Sequence, residues 1–280
     1  MKYRCVKCHN PLSWPLEGAG SISCERCFFP YQYGKNYLKY EFDSMLFETY
    51  KEKYLLNKVL NNNGYLSYIF LQDASLSLNG RDDVKNFRDY IQSHLSGGIL
   101  LDVGCGTLPL PGYLDFKKKS KFEFYGLDPI DDSSFGGTRV VGCAEYMPFD
   151  DSQFDAVVFG TSLDHVCSLE ETIGECYRIL NNGGKALIWM SDRSRPWNKR
   201  LKRWLKKKIF NLKARYRSDK FVIYPNWTVL YVPDGAVDPF HSYNENPKKI
   251  ITLMNTQGFQ HNDMVYNNKN EVFLCFKKVS

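Results

Sequence analysis

The chain has 280 residues, 43% of them hydrophobic and 15% aromatic, with 37 Lys and Arg against 31 Asp and Glu. That much apolar side chain can fill the core of one large domain or two unequal ones, and it excludes global disorder. No apolar run reaches the roughly 18 residues of a bilayer-spanning helix, and the opening residues lack the apolar stretch of a secretory signal.

The protein is therefore expected in the cytoplasm, where nine cysteines read as metal ligands or reduced thiols rather than disulfides. Four of them fall as Cys5-x2-Cys8 and Cys24-x2-Cys27. Each pair forms a knuckle that turns two thiolates onto one cation, and two knuckles complete a closed tetrahedral zinc site. The residues between are too few and too polar for a core of their own, so metal binding supplies most of the folding free energy. Four thiolates leave no open position, which makes a Zn2+ here structural. The run Phe28-Phe29-Pro30-Tyr31 is expected to seal this ribbon or dock it on the rest of the chain.

Helical spacing of apolar residues predicts helices over 43–60 and 82–95, the second closed by Gly97-Gly98. The buried run at 99–103 then enters Gly104-Cys105-Gly106, a strand-to-glycine turn that lets backbone N–H groups approach a ligand at the edge of a parallel sheet. A second strand at 122–127 ends in Asp128, 22 positions after Gly106, where a doubly wound nucleotide site needs a carboxylate for ribose hydroxyls. Strands follow at 138–142, 154–159 and 185–190, with a helix at 169–180. The alternation argues an α/β domain with a parallel sheet.

The motifs in this order, LDVGCGT (101–107), LDP (127–129), CAEYMPFDDSQFDAVV (143–158) and LEETIGECYRILNNGGKALI (169–188), resemble the class I S-adenosylmethionine (SAM)-dependent methyltransferases. The likeness is to their small-molecule, ubiquinone-biosynthesis-like branch and covers about 82–192. It implies a doubly wound, mostly parallel, seven-stranded Rossmann-like sheet over 41–280, behind a small zinc ribbon over 1–40. It also implies that Asp102, Gly104 and Gly106 shape the loop around the methionine moiety of SAM. Asp128 would hold the ribose, Ala144 and Glu145 would edge the adenine, and Thr161 would line the methyl-transfer pocket. A ribbon ahead of such a domain is also similar to some ribosomal-RNA guanine methyltransferases and to methyltransferases of surface-glycan pathways. NAD is disfavoured because Pro109 stands where a G-x-G-x-x-G turn needs glycine. Two positions depart from the methyltransferase pattern. Leu108, followed by Pro109, replaces a small residue, although a proline can begin the next helix, and Cys143 replaces an adenine-contacting Asp, leaving Glu145 to take that role.

Residues 193–220 hold thirteen Lys and Arg and one Asp, a charge of +12 that leaves the rest of the chain at −6. Trp197, Leu201, Trp204, Leu205, Ile209 and Leu212 follow helical spacing there. This insert reads as a lid helix, as a peripheral contact with anionic membrane, or as a phosphate grip on RNA. The tryptophans favour the membrane over RNA, because base-stacking platforms usually sit on strands or loops.

The aromatic stretch 221–243 is expected to wall a pocket, and a helix at 246–257 and strands at 259–266 and 271–277 complete the sheet. His165 and His241 are the candidate catalytic bases for a hydroxyl or amine acceptor. The segment 160–165 lacks the Asn/Asp-Pro-Pro-aromatic loop of N6 purine methylation, and no Pro-Cys context for cytosine C5 chemistry occurs. The expected acceptor is thus a small molecule, glycan or lipid-linked intermediate. An RNA methyltransferase, or a binding partner that no longer takes the cofactor, are the alternatives.

Overall fold

The computed structural model describes residues 1–13, 18–41, 48, 51–66, 80–117, 121–131, 135–192, 216–217, 220–223, 228–234, 236, 239–241, 243, 246–267 and 270–279. Almost all of the basic insert 193–220, and most of 43–50 in the first expected helix, lie outside them.

The cysteine-rich segment holds a short hairpin, β1 (Tyr3–Arg4) and β2 (Pro11–Leu12), then an antiparallel meander of β3 (Gly20–Ser23), β4 (Pro30–Gly34) and β5 (Tyr37–Tyr40). Helix α1 spans Lys51–Leu66, running beyond the expected end at 60. Helix α2 (Asp82–His94) buries Val84, Phe87, Tyr90 and Ile91 on one stripe and carries Asp82 and Asp83 in its first turn, where the helix dipole favours acids. The alternating part follows: β6 (Gly98–Val103), β7 (Phe122–Asp128), β8 (Thr138–Val141), β9 (Phe154–Gly160), α3 (Leu169–Ile179) and β10 (Leu180–Ser191). A small sheet of β11 (Tyr216–Arg217), β12 (Phe221–Ile223) and β13 (Val229–Tyr231) precedes α4 (Pro247–Thr256), β14 (Phe259–Asn267) and β15 (Glu271–Lys278). Ser168 caps α3 by accepting from the Glu171 N–H, and Asn246 caps α4 ahead of Pro247 at its first position.

Strands β14, β15, β10, β9, β6, β7 and β8 lie in that order, with β6 to β10 parallel and β15 antiparallel to both its neighbours. This is the expected seven-stranded sheet. It does not stop there: β5 pairs parallel to β8, in the register Tyr37 to Arg139, Leu38 to Val140 and Lys39 to Val141, and β4 and β3 follow, giving ten strands. Strands β3 to β5 of the cysteine-rich segment are thus an extension of the sheet. The strands alternate apolar side chains between two cores. Leu101, Val103, Val157 and Phe159 pack with α3, α4, Tyr31 and Tyr40 on one face, and Leu100, Ala156, Val158 and Trp189 pack with α2 and Tyr113 on the other.

Two expectations are corrected. Pro109 opens no α-helix, and the described residues of the link from Gly106 to β7 hold 3-10 geometry at Gly112–Leu114 and at Lys121 but no α-helix. Phe28 stands outside the expected seal, 77% exposed at φ 58°, while Phe29 and Tyr31 of the same run turn inward and dock on the core as expected. Among the described residues no helix is long and apolar enough to cross a membrane.

Candidate functional site

The carboxyl ends of β6, β7, β8 and β9 carry the loops in which the sequence places its candidate residues. Leaving β6, the chain turns at Gly104, whose N–H donates to the Leu127 carbonyl at 2.7 Å. Gly104 has φ +79°, and a Cβ there would lie 2.3 Å from the Cβ of Ser162, so both backbone and space demand glycine. Ser162 in turn donates its hydroxyl to the Val103 carbonyl, locking the loop after β9 under the loop after β6.

Asp128, 6% exposed at the end of β7, accepts from the Gly106 N–H and the Ile130 N–H, each at 2.8 Å. One carboxylate thereby ties the glycine turn to the loop after β7. Burial raises its pKa, and Arg139 with the two N–H donors works against that rise. Arg139 comes from β8, is 1% exposed, and donates to the carbonyls of Gly106 at 2.7 Å and Ile130 at 2.6 Å. Asp102 points the other way. It is fully buried, accepts from the Tyr113 hydroxyl at 2.9 and 3.0 Å, and burial pushes its pKa up to about 8 against that hydrogen bond. Asp102 therefore supports the turn from inside the core.

After β8, Ala144 and Glu145 are both buried. The Glu145 carboxylate accepts from the N–H groups of Cys167 at 2.5 Å and Ser168 at 2.9 Å, which anchors this loop to the start of α3. Cys143 receives its support from the ribbon: its N–H donates to the Tyr40 hydroxyl at 2.9 Å, and that hydroxyl donates to the Tyr146 carbonyl at 2.5 Å. Asp131, beyond the β7 loop, accepts from Tyr37 at 2.7 Å and Lys39 at 2.8 Å. Strand β5 thus holds the loops after β7 and β8.

The four cysteines converge. Cys5 and Cys27 stand 3.5 Å apart, as do Cys8 and Cys24, and all four sulfurs lie within 4.8 Å of one another. Zinc–thiolate bonds of about 2.3 Å place tetrahedral sulfurs about 3.8 Å apart, so the donor set fits that ion. The two knuckles match: the N–H of His9 returns to the Cys5 carbonyl and that of Phe28 to the Cys24 carbonyl, with both residues at positive φ. Burial opposes ionisation of Cys24, but the backbone N–H groups of Cys27 and Arg26 prevail and bring its thiol down to about 7.

On the far side of Ser162, Thr161 sits at φ 65° with its N–H on the Trp189 carbonyl, and the 3-10 turn Leu163–His165 follows. The structure brings the two candidate histidines together: the rings of His165 and His241 are 4.7 Å apart, with Asp164 between them. Sequence reasoning missed Asp164, Tyr40, Tyr113 and Arg139. Only Asp164 had a local signal, its place beside His165.

Residues 101–188 match the family described as "Methyltransferase domain". Over 127 residues the chain is 28% identical to a demethylmenaquinone methyltransferase of Symbiobacterium thermophilum, a match covering 40% of this chain and half the length of that relative. Two solved structures share the fold. The PH0226 protein of Pyrococcus horikoshii gives a TM-score of 0.52 at 16% identity, covering 72% of this chain and 93% of its own. A 1,6-didemethyltoxoflavin-N1-methyltransferase of Burkholderia thailandensis, with bound 1,6-didemethyltoxoflavin and S-adenosylhomocysteine, gives 0.53 at 12% identity, covering 80% and 88%. Residues 101–188 are accordingly similar to a methyltransferase-domain family, and the chain shares a Rossmann-like fold with these solved structures.

Proposed function

We propose that the protein transfers a methyl group from SAM to a small-molecule, glycan or lipid-linked acceptor. The observation that carries this reading is the Asp128 carboxylate, buried at the end of β7 and bonded to the Gly106 N–H, directly between the glycine turn and the loop after β7. A carboxylate so placed holds ribose hydroxyls while the turn follows the methionine moiety. SAM supplies an electrophilic methyl on a sulfonium; the chain binds it, orients it and excludes water. Asp102, Gly104 and Gly106 shape the turn, Ala144 and Glu145 edge the adenine side, and Thr161 lines the transfer pocket. His165 and His241 receive the acceptor proton, consistent with their position beyond Thr161. Cys5, Cys8, Cys24 and Cys27 hold a structural Zn2+, supported by the convergence of their sulfurs.

The small-molecule acceptor is supported by the names of two similar proteins, which act on demethylmenaquinone and didemethyltoxoflavin. The insert 193–220 makes peripheral contact with anionic lipid in this reading, on its charge and its tryptophans. The test is incubation with methyl-tritiated SAM and fractionated cell extract. Label in the organic or glycan fraction supports the reading; label confined to RNA replaces it with the RNA methyltransferase.

A further inference from the structure

We propose that Asp164, His165 and His241 form a second metal site, for a first-row divalent transition metal, separate from the four cysteines. With an ion bound the two imidazoles serve as its ligands and not as the proton acceptors of the proposed transfer; the metal-binding claim itself stands whether or not the chain transfers methyl groups.

The distances carry the argument. His165 Nε2 lies 3.7 Å from Asp164 Oδ1, and His241 Nε2 lies 3.6 Å from Asp164 Oδ2. One ligand atom from each residue can be chosen so that all three fall within 4.8 Å of one another. A carboxylate that simply hydrogen-bonded two imidazoles would close to about 2.7–3.2 Å. With metal–ligand bonds of about 2.0–2.2 Å, neighbouring ligand atoms of a tetrahedron stand about 3.3–3.6 Å apart, close to the spacing here.

The tautomer agrees. His165 Nδ1 is 2.8 Å from the Phe240 carbonyl, which can only accept, so Nδ1 carries the proton. The Nε2 lone pair is then directed toward the cluster, and a carbonyl on the other ring nitrogen is the usual outer partner of a ligating histidine. The backbone carrying the ligands is held from a third element. Asn57 of α1 donates to the His165 carbonyl, and Asn63, 4% exposed, donates to the carbonyls of Pro239 at 2.8 Å and Tyr231 at 2.7 Å. A helix that bonds both strands of chain fixes the separation of His165 and His241 before any ligand arrives.

Two imidazoles and one carboxylate select zinc, cobalt, iron or nickel over magnesium and calcium. The three side chains remain 23–37% exposed, so an ion has access, and among the described residues the group comprises these three, leaving a further ligand to be an oxygen of water or of an acceptor hydroxyl. Ser162, two residues before Asp164, packs against Gly104, so the cluster follows directly on the chain that supports the glycine turn.

The test uses Co2+ titrated into the full chain whose cysteine site has been filled with one equivalent of zinc. The expected result is one further equivalent that gives weak visible bands and no thiolate-to-cobalt charge transfer. In His165→Gln and His241→Gln that equivalent weakens by more than the roughly 10–100-fold that losing an outer-shell partner costs. Zinc retained by the cysteines of each variant reports that it is folded. Absence of a thiolate-free equivalent from the unaltered chain overturns the proposal, as does its persistence at unchanged affinity in both variants.

Discussion

The Tyr40 hydroxyl, on the last strand of the cysteine-rich segment, closes the loop after β8 by accepting from the Cys143 N–H and donating to the Tyr146 carbonyl. The ring reaches that position because residue 142 is glycine; a Cβ there would meet the ring at 2.3 Å. Removing the hydroxyl leaves a buried donor and acceptor without their partner. Tyr40→Phe is expected to cost about 1–3 kcal/mol of unfolding free energy in urea titrations. It should also weaken S-adenosylhomocysteine binding, since the same loop edges the proposed adenine site. A variant as stable and as tight as the parent would show that Tyr40 does not hold the loop.

The zinc proposed for the four cysteines should be felt at the same place. The Tyr31 hydroxyl accepts from the Val6 N–H inside the first knuckle at 2.9 Å, and its ring lies 6.1 Å from that of Tyr40. Stripping zinc releases the knuckles and with them the support of β5 on Asp131 and Cys143. Calorimetry on the chelator-treated chain is predicted to give an affinity for S-adenosylhomocysteine lower by roughly tenfold, a typical coupling between sites. Equal affinity with and without zinc would confine the metal's role to the first forty residues.

Gly104→Ala puts a methyl group into Ser162 at a backbone angle that alanine resists. The expected cost is about 1–3 kcal/mol of stability, with a loss of cofactor affinity that exceeds the loss in Gly106→Ala. Gly106 has φ +66°, but a Cβ there would have no atom within 4 Å, so a side chain at 106 bears strain without collision. Thermal unfolding and calorimetry on the two variants decide this directly.

Asp102 gives a pH signature. Its folded pKa, about 8, stands above the ordinary carboxylate value because of burial, so the folded chain holds a proton that the unfolded chain has released. Its contribution is fully present below about pH 4 and is lost as pH rises toward 8 and beyond. The stability of Asp102→Asn relative to the parent should therefore rise between pH 5 and pH 8.5 in urea unfolding. A difference that does not change with pH would contradict the assignment.

The sequence revealed the central sheet because each strand is a short apolar run between turn signals, and the helix caps at Ser168 and Asn246 use ordinary local chemistry. The pairing of His165 with His241 was not legible, since 76 positions separate residues that tertiary contacts bring together, the His165–Phe240 bond and the packing of α1 among them. The ribbon's place at the edge of β8 was hidden for the same reason: β5 is four residues of mixed polarity, and nothing in Tyr37-Leu38-Lys39-Tyr40 names its partner strand. Arg139 was hidden by its own chemistry, an arginine inside an apolar strand whose partners are carbonyls of two distant loops.

The central claim is that the loops around Asp128 bind the adenosyl cofactor. The most direct measurement is calorimetric titration of S-adenosylhomocysteine into the zinc-loaded chain and into Asp128→Ala. The account predicts one equivalent bound by the parent and an affinity lower by about 10–100-fold in the variant, which loses a buried charged acceptor. A folded, zinc-loaded parent that gives no heat of binding, confirmed at a second temperature, would contradict it.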